Sequence, residues 1–279
     1  MLSKTRLMTP AVLTLALALT GCGGSGGGDP APASPTGSTP AGSTPATGNQ
    51  LSVPTTFDPA SASNNLSATI LGYGTPVVTP VAPGISTPPD ASFDGPVGAG
   101  DTLVWQEDWN LTVGEVYQVG STLISETHSI GAIDTLATWR LDTLRDYGSG
   151  TDSTTAHYTV HDGWIWVNYT NNNANWVIDF PATLGGDDWW VTFDGLYRST
   201  WVVEGVGVTA PSGHAGCYHV TLSEEKDQGT DDWQVVFESS IYIKPGIGAV
   251  YRNSVEDASA SGQGIEESVS EYIGRAVDD

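Results

Sequence analysis

The stretch HYTVHDGWIWVNY, residues 157–169, decides the fold class. Residues 164–169 are rich in aromatic and β-branched side chains, which favour the pleated and partly buried surface of a strand. His161-Asp162-Gly163 is a turn signal, and residues 157–160 before it are suited to a partner strand. The stretch therefore predicts a β-hairpin.

The same pattern continues along the chain. Further strand-like runs, each mixing apolar and polar residues in alternation, are found at residues 200–204, 217–222, 233–238 and 240–244. Pro245-Gly246 ends the last run, and residues 248–251 restart pairing. Strands at this spacing with Gly-rich turns predict a single antiparallel all-β domain, built as a curved sheet, an open barrel or a sandwich.

Residues 132–147 fit two patterns. The pattern of a helix with 3.6 residues per turn places one set of residues on a single face: Ile133, Leu136, Arg140, Leu141 and Leu144. The surrounding sequence has the two-residue period of strands, so we predict strand here as well.

Composition restricts the domain to the C-terminal part of the chain. All ten tryptophans lie after residue 100, whereas fourteen of the seventeen prolines precede it. Aromatic side chains supply much of the apolar area of a core. We therefore place the β-rich domain at residues 101–279 and a Pro-rich, mostly irregular segment at residues 51–100. Residues 22–50 contain no Leu, Ile, Val or aromatic residue and are predicted to be a disordered tether.

The charge of the chain excludes some functions. Nine Lys and Arg stand against 32 Asp and Glu, which gives a formal net charge of −23. A nucleic-acid-binding protein needs clustered basic residues for phosphate contacts, so we expect no nucleic-acid partner. Such an acidic surface keeps a protein hydrated, and added salt is expected to stabilise it by screening self-repulsion.

Residues 1–21 have the features of a lipoprotein signal peptide. Lys4 and Arg6 precede an apolar run at residues 7–19, which is too short to span a membrane as a helix. The following Leu19-Thr20-Gly21-Cys22 resembles the lipobox of bacterial lipoproteins. The resemblance implies cleavage before Cys22, acylation of its thiol and new amino group, and therefore a membrane as partner.

The residue after the cysteine bears on the location. In Gram-negative lipoproteins, Asp at this position usually means retention at the inner membrane, and here Gly23 occupies it. The resemblance thus favours the outer membrane and leaves both the periplasmic and the external face open. With Cys22 acylated, Cys217 has no intramolecular disulfide partner in the mature chain.

Three short stretches of the domain resemble a group of secreted bacterial proteins. Residues 180–189 are similar to "fPL.vGd.W", residues 210–220 to "vpaGtf..C.kv", and residues 242–250 to "yyaPGvGlV". In this order they resemble a broad, mostly uncharacterised group of β-sheet domains that are often lipoproteins. The resemblance implies a long curved antiparallel sheet, similar to the open barrels of lipoprotein carriers, and implies no activity.

The residues with reactive or metal-binding side chains do not form a recognised motif. Cys217 and His219 share one face of a predicted strand, and a thiolate–imidazole pair can act as a nucleophile or as half of a metal site. A lone cysteine is more commonly a small buried hydrophobe. Residues 146–152 have the oxygen content of a calcium loop but lack the terminal Glu of an EF-hand. We expect no catalytic residue, no metal ion and no cofactor.

Tryptophans supply the predicted ligand-binding residues. Trp164, Trp166 and Asn168 point to one face of their strand, whereas Ile165 and Val167 point to the other. Because both faces are apolar, one covers the core. The other is either a second covered surface or a platform for a sugar or a lipid.

These observations predict a lipid-anchored cell-envelope protein whose β-rich domain is not an enzyme. Its role is to bind an unidentified envelope ligand or protein, or to build structure. One alternative is a carrier that holds a lipid or another apolar ligand in a half-barrel. A second alternative is a hydrolase of envelope polysaccharide, suggested by the abundance of tryptophans and carboxylates.

Overall fold

A computed structural model describes residues 48–74, 89–90, 96–170, 172, 174–229, 232–259 and 262–276. The strands are β1 (Asn49–Gln50), β2 (Pro89–Asp90), β3 (Thr102–Val113), β4 (Val116–Ile133), β5 (Leu136–Asp146), β6 (Thr151–His161), β7 (Trp164–Asn168), β8 (Val177–Pro181), β9 (Asp188–Asp194), β10 (Tyr197–Val208), β11 (Cys217–Asp227), β12 (Trp233–Lys244), β13 (Gly248–Ala258) and β14 (Gly264–Ala276). Two 3₁₀ turns, Pro59–Ser61 and Leu66–Ala68, precede the main strands.

The predicted signal peptide and Cys22 lie outside the described residues, as does most of the predicted tether. None of the described residues belongs to a helix of sufficient length and apolarity to cross a membrane.

All described strands belong to one sheet of fourteen strands. Its order is β1-β9-β10-β11-β12-β13-β14-β3-β4-β5-β6-β7-β8, and β2 pairs with β14. Every pairing is antiparallel except that of β1 with β9. The sheet is therefore a long meander in which the pairing of β14 with β3 joins the N-terminal and C-terminal halves. The predicted all-β antiparallel class, with a curved open sheet, is confirmed.

The sheet curves until its two ends face each other. Phe180 on β8 lies 4.9 Å from the ring of Trp190 on β9 and 5.5 Å from Trp201 on β10. Trp190 and Trp201 stack with an interplanar angle of 5°. Among the strands that the structure describes, β8 and β9 do not pair with each other, so aromatic packing connects the two ends of the open barrel.

Residues 132–147 adopt the strand conformation predicted for them. Ile133 ends β4, a tight turn follows with Asp134 at φ 51°, and Leu136 begins β5. The two runs at 233–238 and 240–244 form the single strand β12, because Ser239 pairs with both neighbouring strands without interruption.

The core begins well before residue 101. Leu66, Ile70, Leu71 and Tyr73 are all buried, and residues 66–74 cross one end of the barrel as a plug segment. Ile70 N donates to the carbonyl of Ala182 at 2.6 Å. The plug segment is held near the β12–β13 turn as well, where Gly246 N donates to Leu71 O.

The fold thus includes parts of the chain that composition assigned elsewhere. The plug segment lies within residues 51–100, for which the sequence predicted a Pro-rich and mostly irregular segment, and its apolar side chains are buried. Asn49 and Gln50, at the end of the predicted tether, pair with β9. The physical reason is that Leu66, Ile70, Leu71 and Tyr73 bury apolar side chains in the core, which stabilises the segment that carries them.

Candidate functional site

The interior of the sheet changes in character along the strands. At the plugged end, where residues 66–74 cross and the β4–β5, β6–β7 and β12–β13 turns lie, the interior is aromatic and aliphatic. At the opposite end, the hairpin end, lie the β3–β4, β9–β10 and β13–β14 turns. Polar side chains face the interior between these two ends, and they are the strongest candidates for a functional site.

Four charged residues form an interior cluster, which we define as Glu107, Glu126, Arg145 and Arg252. They occupy the inward-facing positions of β3, β4, β5 and β13, as the strand registers require. The Nη1 atom of Arg145 lies 3.6 Å from Oε2 of Glu107. Buried charges are costly unless they are paired, so this concentration requires a structural or functional explanation.

Arg252 is hydrogen-bonded through its Nε atom to two serines beside the cluster. Its Nε donates to the hydroxyls of Ser239 at 3.1 Å and Ser254 at 2.9 Å. Its guanidinium also lies 5.5 Å from the ring centroid of Phe237. Desolvation lowers the pKa of Arg252 to about 10, which leaves the side chain positively charged at neutral pH.

Glu126 is the most deeply buried acid of the cluster. Neither carboxyl oxygen has a hydrogen-bond partner among the residues that the structure describes. Desolvation raises its pKa to about 8, and the charge of Arg145 offsets only part of this rise. At neutral pH the carboxyl group is mostly protonated, so it can donate a hydrogen bond.

Arg145 has one edge of its guanidinium unoccupied. Its Nε and Nη2 are buried and have no hydrogen-bond partner within the described ranges. These two N–H groups form the fork that pairs with carboxylates in proteins. In Arg198 the same atoms donate to Oε2 of Glu225, at 2.8 and 2.5 Å.

Further buried polar groups continue the site toward the plug segment. Asp179 lies at an irregularity of β8, between Ile178 and Phe180, and burial raises its pKa well above the usual range. Burial also raises the pKa of Tyr158, with a smaller contribution from Asp179 and Glu126. The Tyr158 hydroxyl and Oδ1 of Asp179 have no hydrogen-bond partner in the described part of the chain.

His128 has a structural role beside this site. Its Nδ1 accepts a hydrogen bond from Trp139 Nε1 at 3.0 Å, and its ring packs edge-on against Tyr73 at 5.2 Å. Burial lowers its pKa to about 3, and the nearby charge of Arg275 contributes to the decrease. The neutral imidazole therefore helps to hold the plug segment in place.

The hairpin end of the interior is acidic. Desolvation raises the pKa of Glu224 to about 7; its hydrogen bond with Ser199 opposes this rise, and Glu256 and Asp194 add to it. Glu256 pairs directly with Glu266 across β13 and β14, and both are partly exposed. The interior thus passes from partly exposed acids at the hairpin end to the fully buried Glu126.

The apolar space at the plugged end is filled by the chain itself. Tyr73 packs against Trp139 with ring centroids 5.4 Å apart, and Leu66 and Ile70 belong to the same core. An acyl chain would have to displace the plug segment to occupy this space.

The three predicted ligand-binding residues lie on the other face of β7. Trp164, Trp166 and Asn168 are buried. Phe57 packs 5.1 Å from the ring of Trp166, and the Asn168 amide donates to the carbonyl of Asn172 at 2.7 Å. Ligand binding by these residues stays a prediction, and it would require the covering segment around Phe57 to move.

The predicted Cys217–His219 pair does not form an obvious reactive site. Cys217 is fully buried and its Sγ donates to the carbonyl of His214 at 3.3 Å. His219 stacks on Tyr242 at 4.3 Å and shares a hydrogen bond with Ser240. Among the described residues, no group of three or more His, Cys, Asp and Glu is arranged to hold a metal ion.

Sequence reasoning did not identify the interior cluster. The sequence contained one indication of it. Arg145 lies an even number of residues after Trp139 and Leu141 on the same strand, so its side chain faces the same side of the sheet as theirs. An arginine at such a position is notable in a chain with only nine basic residues.

Comparisons with known proteins give only distant structural likenesses. No family model and no curated protein matches the sequence. A solved structure described as a candidate lipoprotein from Parabacteroides distasonis has a TM-score of 0.37 and 12% identity, covering 67% of this chain and 99% of that one. A β-barrel-like protein of unknown function from Brucella abortus has a TM-score of 0.31 and 11% identity, covering 64% and 98%.

A third solved structure is described as a candidate exported protein with a YmcC-like fold from Bacteroides fragilis. It has a TM-score of 0.29 and 9% identity, and the match covers 65% of this chain and 97% of that one. With every TM-score below 0.5, these likenesses do not assign the chain to a family or give it a function. The chain is therefore only distantly similar to these proteins.

Proposed function

We propose that this chain is a lipid-anchored cell-envelope protein whose β-domain binds a small polar ligand inside its curved sheet without catalysing a reaction. The observation that carries the proposal is the buried polar interior. Glu126, Arg145, Tyr158 and Asp179 have polar atoms without hydrogen-bond partners among the described residues. Since buried polar groups in native proteins are nearly always satisfied, water or a ligand is expected to complete them.

The arrangement supports a polar ligand over an apolar one. A carrier of acyl chains needs an empty apolar concavity, whereas Leu66, Leu71 and Tyr73 already occupy the apolar end. The remaining interior presents charges and hydroxyl groups. The lipid-carrier alternative would therefore require displacement of the plug segment.

The arrangement also supports binding over polysaccharide hydrolysis. Glycosidases place two carboxyl groups on either side of a sugar bond in a cleft that admits the glycan. Glu126 and Asp179 are fully buried beside Tyr73 of the plug segment. Because both acids are buried, a glycan chain would have to displace the residues that cover them before it could reach them.

Native mass spectrometry of the mature protein tests the binding function. We expect a non-covalent small molecule to accompany the folded chain and to be released on denaturation. Glu126→Gln changes the interior and is expected to lower the fraction of protein that carries the bound molecule. Glu238→Gln, on the exposed face of β12, is expected to leave this fraction unchanged. A wild-type protein that carries no ligand, and binds none from an envelope extract, would count against the proposal.

The membrane anchor rests on the lipobox-like run and is tested separately. In membrane fractionation, Cys22→Ala is expected to be soluble or to accumulate as the unprocessed precursor, because the acylated residue is lost. Outer-membrane location predicts that the wild-type protein follows outer-membrane markers on a density gradient. A Cys22→Ala chain that is processed and stays bound to membranes would refute the anchor.

A further inference from the structure

We infer that the unoccupied edge of Arg145 is the recognition group of the interior site and that it binds a carboxylate of the ligand. This inference rests on the proposed binding function and specifies the ligand class. It also assigns the role of orienting the ligand to Arg145.

The geometry of the guanidinium supports a carboxylate. Nε–H and Nη2–H of an arginine point in the same direction, at the spacing of the two oxygens of a carboxylate. Two other arginines of this chain use this edge for a carboxylate: Arg198 for Glu225, and Arg140 for Asp142 at 3.1 and 2.7 Å. In Arg145 the edge is buried and has no partner among the described residues.

The charges of the cluster favour a ligand with one negative charge. Arg145 and Arg252 are cationic, the carboxyl group of Glu107 lies 3.6 Å from Nη1 of Arg145, and Glu126 is mostly neutral at pH 7. The Nε and Nη2 donors of the charged Arg145 side chain therefore face no carboxylate among the described residues. A buried charge without such a partner is unfavourable, so an anion at this position stabilises the cluster.

The surroundings select against a more highly charged anion. Glu224, Glu256 and Glu266 face the interior at the hairpin end, and each of these acids that is ionised repels a dianion more strongly than a monoanion. Close to Arg145, the protonated carboxyl of Glu126 adds a hydrogen-bond donor for the ligand. A monocarboxylate fits this combination better than a phosphate group does.

Isothermal titration calorimetry with sodium acetate tests the inference on the mature lipidated chain in detergent micelles, with sodium chloride at equal ionic strength as the blank. We expect saturable binding of one acetate. Arg145→Lys keeps the positive charge but lacks the parallel pair of N–H donors, so acetate should bind at least about tenfold more weakly. Arg140→Lys is the matched control, because Arg140 lies on the same strand and its guanidinium is already hydrogen-bonded to Asp142. The acetate affinity of this variant should stay within about twofold of the wild-type value.

A second measurement on the wild-type chain avoids any loss of folding in the variant. In ¹H–¹⁵N spectra of the arginine side chains, acetate should shift the Nε–H signal of Arg145 saturably and leave that of Arg198 in place. Absence of saturable acetate binding, or equal weakening by Arg145→Lys and Arg140→Lys, would overturn the inference. A co-purified ligand without a carboxylate would overturn it too, while the proposed binding function would stand.

Discussion

Two buried arginines of this sheet are in opposite situations. On β10, the Arg198 side chain is 8% exposed, its Nε and Nη2 are bound to Glu225, and Trp233 covers its guanidinium at 4.7 Å. On β5, the Arg145 side chain is 6% exposed and faces the interior, with one contact of 3.6 Å to Glu107. The first arginine is satisfied by the fold. The second has hydrogen-bonding capacity that the described fold leaves unused.

Structural and functional polar groups inside a β-sheet differ in whether their hydrogen-bond donors are used by the fold. Burial alone does not distinguish them, because both arginines are equally buried. The distinguishing property is whether the donors are used, since an unsatisfied buried donor is disfavoured unless water or a ligand completes it.

The largest expected effect is on the satisfied arginine. Arg198→Met leaves the carboxylate of Glu225 buried without its partner, so the free energy of unfolding should fall by about 3–5 kcal/mol. Arg145→Met should cost less than half as much, because Glu107 retains Arg252 nearby and burial has already raised its pKa toward protonation. Urea unfolding followed by tryptophan fluorescence measures both. A greater loss in Arg145→Met than in Arg198→Met would reverse the comparison.

The plugged end should behave as ordinary core. Leu66 is 1% exposed, so Leu66→Ala should lower the free energy of unfolding by about 2–5 kcal/mol through lost burial and a new cavity. Val119→Ala, on an exposed position of β4, is the control and should change it by about 0.5 kcal/mol or less. A small effect of Leu66→Ala would indicate that the plug segment is not firmly packed, and would reopen the lipid-carrier alternative.

Glu126 should make the stability of the protein depend on pH. Folding raises its pKa from 4.5 to about 8, so the folded state binds a proton more tightly and stability falls as pH rises through this window. Glu126→Gln removes this loss. The free energy of unfolding of the variant should match that of the wild type near pH 4 and exceed it by about 2–4 kcal/mol at pH 8. This difference corresponds to about 1.4 kcal/mol per pKa unit and is reduced for relaxation of the protein around the charge.

The control for this pH effect is Glu238→Gln, whose carboxylate is exposed. Its difference from the wild type measures the effect of replacing an exposed glutamate and is subtracted from the effect of Glu126→Gln. His128 has the opposite effect, because its lowered pKa makes the stability fall as pH decreases below about 6.5. This contribution is the same in variant and wild type, so it cancels when their free energies of unfolding are subtracted at each pH. A constant difference for Glu126→Gln would show that Glu126 is ionised in the folded protein.

The smallest expected effect concerns acetate binding at alkaline pH. Above pH 8 the ionised Glu126 competes for the edge of Arg145, so acetate affinity should fall by up to about tenfold per pH unit in the wild type. Glu126→Gln should remove most of this dependence. The other groups that influence or face Glu126 are Arg145, Tyr73, Tyr158 and Asp179.

Asp179 is the group among these that could imitate the effect, because Tyr73 and Tyr158 stay protonated with pKa values well above 10. Asp179→Asn separates the two carboxyl groups. If the dependence on pH persists in Glu126→Gln and disappears in Asp179→Asn, Asp179 rather than Glu126 is the competing acid.

The sequence was sufficient to predict the antiparallel all-β class and several of the strands, among them β6, β7, β10, β11 and β12. Residues 157–169 form the hairpin of β6 and β7, and Pro245-Gly246 forms the turn before β13. These features follow from local chemistry, because a two-residue period and turn residues act within a few positions of each other. Residues 132–147 were ambiguous for the same reason, since a short apolar pattern fits both periods.

The plug segment and the interior cluster could not be predicted in this way. Leu66, Ile70 and Leu71 form a short apolar group in a Pro-rich range, and their burial depends on where the sheet leaves space. Glu126 and Arg145 become neighbours only through the register of β4 and β5, in which Ile124 pairs with Arg145. Such long-range information is not contained in the pattern of either strand alone.

The most direct test of the interior site is a high-resolution crystal structure of the mature chain, read at Nε and Nη2 of Arg145. Our account predicts that both atoms donate to a carboxylate or to ordered water molecules that are not part of the chain, at about 2.7–3.0 Å. Direct pairing of both atoms with the Glu126 carboxylate at neutral pH would contradict it, because the cluster would then be a closed structural ion pair similar to that of Arg198.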